Sequence, residues 1–281
     1  MNGIQYDMPE SLYHQHSALS STGARRLLES PARFNYWRQR QEPGKQSYDV
    51  GTAVHTKVLG VGAGTIAYPD EHVTASGAVS TKAATVAWAE EQRTRGLTPV
   101  APAQARRIDG MAEAVLGHTT ARALFEQVGG HSEASVFATD STTGVEMRAR
   151  FDYLGTTAVD LKTTAKTASV DGFARTVAAY GYDVQEQWYL HTLEQAGTDR
   201  IPFVFVVVES EAPHLVGIHQ LDIEWQQMGA AKVKRALDTY AECVEQDVWP
   251  GYDPSIQTIS PPNYLVYQHE DDYGPLHGIE F

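Results

Sequence analysis

Cysteine and long apolar runs are what this chain most clearly lacks. Its 281 residues include one cysteine, Cys243, which excludes an internal disulfide and suits a reducing compartment. Cys243 falls in a helical pattern and is expected to be a core thiol. No Cys/His cluster has zinc-finger spacing. No stretch is long and apolar enough to span a bilayer, and the run from Phe203 to Val208 reads as a short buried strand. Met1-Asn2-Gly3-Ile4-Gln5 has neither a basic start nor an apolar run, so no signal peptide is expected. These absences point to a cytoplasmic protein with no membrane partner.

Positive charge is scarce as well. The chain carries 22 Lys and Arg against 35 Asp and Glu, a net charge of −13. Phosphate binding draws on Lys and Arg, so this balance argues against a surface that wraps DNA. The distribution softens the objection. Arg25, Arg26, Arg33, Arg38 and Arg40 face one acid, Glu29, while eleven acids stand against three basic residues from Asp222 onward. The arginine-rich end is expected to lie beside His55 and to face nucleic acid, with an acidic surface behind.

The strongest signal is a charged hairpin. Strand side chains alternate, so Met147, Ala149, Phe151 and Tyr153 share one face, and Arg148, Arg150 and Asp152 the other. Gly155-Thr156-Thr157 supplies the turn. In the second arm Val159 and Leu161 are expected on the apolar face, and Asp160 and Lys162 on the charged one. A three-residue loop then sets Asp152 opposite Asp160 and Arg150 opposite Lys162. A slip by one residue would expose the apolar set. Two facing carboxylates repel, and a hard divalent cation between them removes that cost. Lys162 could then orient or activate a water for attack on phosphorus.

Three further segments carry candidates. Gly51 and His55 lie four apart in a helical run from about Tyr48 to Leu59, on one helix face. Gly51 would let a strand come close, and an imidazole can complete a metal shell. Glu133 sits on a polar strand face, alternating with Ala134 and Val136. Gln185 and Tyr189 form an i,i+4 pair on a helix and can hydrogen-bond a phosphate or a base edge. Taken singly, each has an ordinary structural reading: a solvated strand face, a packed histidine, a surface glutamate, a core tyrosine.

The ordered set Gly-x-x-x-His (Gly51, His55), Glu133, Asp152, Asp-x-Lys (Asp160, Lys162) and Gln-x-x-x-Tyr (Gln185, Tyr189) resembles the RecB-like branch of the PD-(D/E)XK nucleases. More narrowly, it is similar to RecE-type phage recombination exonucleases (exodeoxyribonuclease VIII-like). Ala18-Leu19-Ser20-Ser21-Thr22-Gly23-Ala24 and Leu27-Leu28-Glu29-Ser30-Pro31-Ala32-Arg33-Phe34 look like that family's opening. The likeness covers most of residues 10–245. Two departures stand out: the interval from Asp152 to Asp160 is short, and Phe151 stands where the family often has proline.

The resemblance implies an α/β fold, a PD-(D/E)XK core with a mixed central sheet flanked by helices. It implies His55, Asp152, Asp160 and the Leu161 main-chain carbonyl as ligands of Mg²⁺, with Mn²⁺ able to substitute. Lys162 would position or deprotonate the attacking water, and Glu133 would assist a second ion or the DNA end. Gln185 and Tyr189 would support the DNA and the site. Arg25, Arg33, Arg148 and Arg150 are the candidate DNA contacts. The implied activity is a 5′→3′ exonuclease on double-stranded DNA that leaves 3′ single-stranded tails. The implied partners are DNA ends, a homo-oligomeric ring of this chain and a single-strand annealing protein, in the bacterial host cytoplasm if the chain is phage-encoded. The alternatives are an end- or structure-specific endonuclease, a non-catalytic DNA-end-binding module, or a hydrolase of small phosphoesters.

Periodicity sets the expected organisation. Ser21 caps a helix through about Leu28, and Pro31 opens the next. The Gly60–Gly64 stretch ends the His55 helix. An N-terminal helical region and a helical insert at about 65–128 (helices from Ser80 to Arg95, Ala103 to Leu116 and from Thr119 or Thr120) precede strands at about 132–139, 144–153 and 158–163. Helices at 170–180 and 183–196, strands at 202–209 and 214–221, and a helix at 223–247 complete one domain over 1–248. Residues 249–281, rich in proline, are expected to be an extended tail.

Overall fold

A computed structural model describes residues 2–40, 50–62 and 64–274. Tyr48 and Asp49, expected to open the His55 helix, lie outside the described residues, as do Ala63 and the last seven positions of the tail. The chain starts with three short elements that hydrophobic periodicity does not reveal: β1 (Gly3–Gln5), α1 (Glu10–Gln15) and β2 (Leu19–Ser20). Helices α2 (Ser21–Glu29), α3 (Pro31–Gln39) and α4 (Val50–Leu59) follow. Ser20, one residue before the expected cap, accepts the Gly23 amide at the start of α2. Ser30 does the same for α3, where Pro31 needs no partner for a missing N–H.

The insert is not purely helical. It holds β3 (Thr65–Ala67), α5 (Ala83–Thr94), β4 (Thr98–Val100), α6 (Pro102–Gly117) and α7 (Thr119–Phe125), with β3 and β4 paired in parallel. Three-residue strands are too short to show a period, so they escape a pattern search. Next come β5 (His131–Thr139), β6 (Glu146–Leu154), β7 (Ala158–Thr164), α8 (Val170–Tyr180), α9 (Tyr182–Gln195), β8 (Phe203–Glu209), β9 (Val216–His219) and α10 (Ile223–Gln246). Gly181, at φ 65, is both the end of α8 and the start of α9, a left-handed position that glycine occupies without strain. The expected extended tail contains a helix, α11 (Asn263–Tyr273), none of whose residues is buried.

The central sheet runs β1-β5-β6-β7-β8-β9, with β2 added alongside β6. It is antiparallel except for the parallel pairs β7–β8 and β2–β6. Helices cover both faces. On one, Val54, Ile108 and Met111 from α4 and α6 pack on Val159, Leu161, Val206 and Val208. On the other, Phe173, Val177, Leu190 and Leu193 from α8 and α9 pack on Ala149, Phe151, Phe203, Phe205 and Val207. Strand β8 is therefore buried on both sides, which explains its unbroken apolar run. A third cluster joins α2, α9 and α10 through Leu27, Trp188, Val233 and Leu237, with Met147 beneath them.

One expectation about faces is corrected. Tyr153, Val159 and Leu161 pack in the α4–α6 layer, whereas Ala149 and Phe151 pack in the α8–α9 layer with Leu154. Phe151 and Leu154 are three apart and yet share a side, so β6 changes face between them. The loop register is as the pattern predicts: Tyr153 pairs with Val159 and Leu154 with Ala158 across residues 155–157. The irregularity therefore lies at Asp152.

Trp249 stacks on Phe34 and Tyr240, with the Arg38 guanidinium 4.4 Å from its ring centroid. Trp249→Ala should cost about 2 kcal/mol in urea unfolding through lost apolar contact and ring stacking. Ending the chain after Pro262 should change stability by less than about 0.5 kcal/mol, because α11 buries nothing.

Candidate active site

The register brings three acids into one line across the sheet. On β5–β6, Ser132 pairs with Tyr153 and Ala134 with Phe151, which sets Glu133 opposite Asp152. On β6–β7, continuing beyond the Tyr153–Val159 pair sets Asp152 opposite Asp160. Neither acid pair belongs to the ladders as formed. Glu133 has a φ of 55, a left-handed backbone in mid-strand, and β6 changes face here. The third edge feature is β2, which pairs with β6 only at Met147 and Arg148. Between that pairing and Tyr153, the β7-side edge of β6 is free for other work.

The Asp152 carboxylate fills this gap. Its Oδ2 accepts the Leu161 amide at 2.7 Å and lies 3.5 Å from His55 Nδ1. In a strand, N–H and C=O of one residue point the same way, so the Leu161 carbonyl also faces the gap. His55 comes from α4, whose Val54 and Val58 anchor it against the sheet. Burial alone would lower the imidazole pKa, but the Asp152 charge and hydrogen bond outweigh it and raise it to about 9. Burial pushes the Asp152 carboxyl up, yet the His55 charge, the hydrogen bonds and Lys162 hold it below its usual range.

Asp160 sits on the far arm of the fork, 2 % exposed. It forms an ion pair with Lys162, and its Oδ1 accepts from Gln185 Nε2 at 2.5 Å. Gln185 in turn bonds the Tyr189 hydroxyl, so the pair four residues apart on α9 acts in series on one carboxylate. Burial, with Asp152 adding repulsion and Lys162 opposing both, leaves Asp160 raised to about 6. Lys162 is held above its usual range: burial lowers it, but Asp160 and Asp152 more than compensate. Its ammonium lies 4.7 Å from the Tyr182 ring centroid. Tyr182 could have been found by position, since it lies three residues before Gln185 on the same helix face.

His55, Glu133 and Asp152 each offer a ligand atom, and these atoms all lie within 4.8 Å of one another. Two carboxylates and an imidazole suit a divalent cation. The electrostatics fit it too: burial, with repulsion from Asp152, raises Glu133 and Asp160 above their normal range, and a bound cation would favour their charged forms. The geometry thus groups Glu133 with His55 and Asp152, and leaves Asp160 beside Lys162.

The arginines divide. Arg150 is spent inside the protein: it donates to Glu133 Oε2 at 2.5 Å, Ser135 Oγ at 2.9 Å and the Met8 carbonyl at 3.0 Å. Arg25 binds the Tyr180 carbonyl and the Thr22 hydroxyl, at the Tyr182 edge of the site. Arg33 is not brought there, since it donates to Tyr252 of the tail. Helices α2 and α3 pack with α9 and α10 rather than with α4. The arginine-rich end therefore does not flank His55 as expected; Arg26, Arg38 and Arg40 lie over Trp37, Trp249 and Tyr36. Arg148 lies with its guanidinium 4.7 Å from the Tyr13 ring centroid. Tyr13, on a helix of six residues, carried no sequence signal.

A family model described as a PDDEXK-like domain of unknown function (DUF3799) matches residues 20–260. No curated protein matches the sequence. The fold is similar to a solved structure from Eubacterium rectale described as a "putative exonuclease", with a TM-score of 0.56 over 92 % of this chain and 96 % of that one, at 12 % identity. At that identity the likeness is one of fold. Among the described residues no helix is long and apolar enough to cross a membrane.

His55, together with Glu186, which burial raises to about 8, sets the pH behaviour of the metal-free protein above neutrality. The His55 pKa is higher folded than unfolded, so its contribution is complete below about pH 6.5 and is lost as pH rises through about 9. Through His55 the thermal midpoint of the metal-free protein should fall over that range by the equivalent of about 3 kcal/mol, and His55→Gln should reduce the slope to the part that Glu186 contributes. Stabilisation by Mn²⁺ should grow over the same range, because a cation competes with the imidazole proton. Thermal scans with EDTA and with Mn²⁺ check both.

Proposed function

This chain belongs to the family of PDDEXK-like domains of unknown function (DUF3799), and we propose that it is a divalent-metal-dependent nuclease that hydrolyses phosphodiester bonds of DNA. The observation that carries this reading is the acid row of half-buried Glu133 and Asp152 and buried Asp160, lying in a gap of the sheet with His55 on one side and Lys162 on the other. Structure alone has simpler uses for a strand end than three converging acids and an ammonium.

In this reading His55, Glu133 and Asp152 hold the cation, with Asp160 and the Leu161 carbonyl as further ligands within the same gap. Bound there, Mg²⁺ would neutralise a non-bridging phosphate oxygen and acidify a water. The protein's own part is positional. Arg150 fixes the Glu133 carboxylate, so its lone pairs point into the gap. The Leu161 amide and His55 do the same for Asp152. Lys162, kept as an ammonium by two carboxylates, donates to the attacking water or to the phosphate and offsets the charge that builds on phosphorus. Gln185, with Tyr189 beside it, holds Asp160 on the far arm, and Asp160 and the Tyr182 ring hold Lys162.

The finer reading follows the RecE-type resemblance: a 5′→3′ exonuclease on duplex ends that leaves 3′ single-stranded tails for strand annealing. It includes Mg²⁺ as the working ion, a ring of identical subunits around the duplex and a single-strand annealing protein as partner. The order of His55, Glu133, Asp152, Asp160, Lys162, Gln185 and Tyr189 supports it.

The test uses a linear duplex with 5′ phosphates and a covalently closed circle of the same sequence. With Mg²⁺ the linear form should be degraded and the circle left intact, and EDTA should stop the reaction. Asp152→Asn and Lys162→Ala should each lower kcat by about a thousandfold or more, with circular dichroism unchanged. Full activity in EDTA, or in Lys162→Ala, would remove the reading. Cleavage of the closed circle would remove its exonuclease half.

A further inference from the structure

Strand β6 presents Arg148, Arg150 and Asp152 at successive alternate positions, and the two arginines are treated very differently. Arg150 has all its neighbours supplied by Glu133, Ser135 and the Met8 carbonyl. Arg148 forms no ion pair among the described residues, and its Nε and Nη1 are buried without an acceptor. Burial of a guanidinium with unmet donors is costly, and such groups in folded proteins call for a reason. The backbone is not the cause of the placement. It is pinned by Trp188, whose indole N–H donates to the Arg148 carbonyl at 3.0 Å, and by pairing with Ser20 and Phe137 on either side. The side chain is held as well, lying flat against the Tyr13 ring, which itself rests edge-on against Phe137.

Nearby groups leave the guanidinium uncompensated. The charges and hydroxyls that reach it are those of Tyr13 and Tyr189. Both phenols are kept neutral by burial, which pushes Tyr13 up to about 12 and Tyr189 well above its usual value. No carboxylate is among the groups that act on it, and Glu133 is claimed by Arg150. The result is a fixed, partly open cation beside the Tyr13 ring with no internal anion.

We propose that Arg148, lying over the Tyr13 ring, is a phosphate subsite for the DNA strand, set apart from the bond that is cut. Its place along β6 fixes its reach. It stands four positions from Asp152, about 13 Å along a strand, too far for one phosphate to touch both. The subsite therefore holds a phosphate other than the scissile one. A fixed guanidinium suits this task, because its charge-assisted hydrogen bond to a phosphate oxygen is stronger than a neutral one. The inference rests on the nuclease reading for its substrate, but it concerns binding and can be separated from turnover.

The experiment measures the affinity of the full chain for a fluorescein-labelled 20-base-pair duplex by anisotropy, with Ca²⁺ in place of Mg²⁺ and over a range of salt. It is run with 5′-phosphorylated and 5′-hydroxyl ends. In parallel, Mg²⁺-dependent hydrolysis of the duplex and of bis(p-nitrophenyl) phosphate is followed. Arg148→Gln should weaken duplex binding at least tenfold and reduce the slope of log affinity against log salt by about one. Its kcat/KM on the duplex should fall at least tenfold more than on the small diester, which cannot reach both subsites. Arg148→Lys should keep the salt slope and lose three- to tenfold in affinity, and it decides the matter if the Gln variant does not fold. Loss confined to the phosphorylated duplex assigns the subsite to a terminal monoester, and equal loss on both duplexes assigns it to an internal diester. Unchanged affinity in both variants overturns the proposal, as does an equal fall on duplex and small diester. If wild type hydrolyses neither substrate while binding still depends on Arg148, the subsite stands and the nuclease reading falls.

Discussion

Like charge across a strand pair is the constraint around which this molecule is arranged. Facing carboxylates on adjacent strands repel, and here the flanking pairs of β5, β6 and β7 set half-buried Glu133 and Asp152 and buried Asp160 in one row. The sheet does not run smoothly through them. The ladders skip the row, β5 takes a left-handed turn at Glu133, and β6 changes face at Asp152. Each acid is then bound to a different cation or amide: Glu133 to Arg150, Asp152 to His55 and the Leu161 amide, Asp160 to Lys162 and Gln185. Burial outweighs those partners at Glu133 and Asp160, which stay above their usual range.

The two helical layers have separate tasks in this arrangement. Helix α4, buried through Val54 and Val58, delivers an imidazole from one face of the sheet. Helix α9, buried through Trp188, Leu190 and Leu193, delivers an amide and a phenol from the other. The gap in β6 is where the two layers meet through the plane of the sheet. A continuous ladder would have kept them apart, because a closed sheet has no path between its faces. The break in pairing is thus what lets residues from opposite layers converge on one set of carboxylates.

Much of this was legible in the sequence, for identifiable reasons. The loop at 155–157 and the apolar alternation beside it set the Asp152–Asp160 register. The Asp-x-Lys and Gln-x-x-x-Tyr spacings marked groups that do meet, since Gln185 reaches Asp160. Long elements such as α6, α9 and α10 showed their period clearly. Short ones did not: β1, β2, β3 and β4 have two or three residues each, fewer than a pattern needs. The face change at Asp152 was hidden because strict alternation is the assumption by which strands are read. Tyr13 was invisible for another reason, as its role depends on a six-residue helix folding back over β6 from far away in sequence. The run of arginines from Arg25 to Arg40 misled, because charge composition cannot show that an arginine is laid over Trp37 or Trp249.

The left-handed backbone at Glu133 has a bearing on how such a protein can be improved. Glycine, or to a lesser degree asparagine, would sit there with less strain, so any selection that scores folding alone would drift toward them. That drift would discard the carboxylate beside His55 and Asp152. On the proposed nuclease reading, thermostabilising libraries built without an activity screen should therefore enrich inactive variants at this position, a conflict between robustness and work.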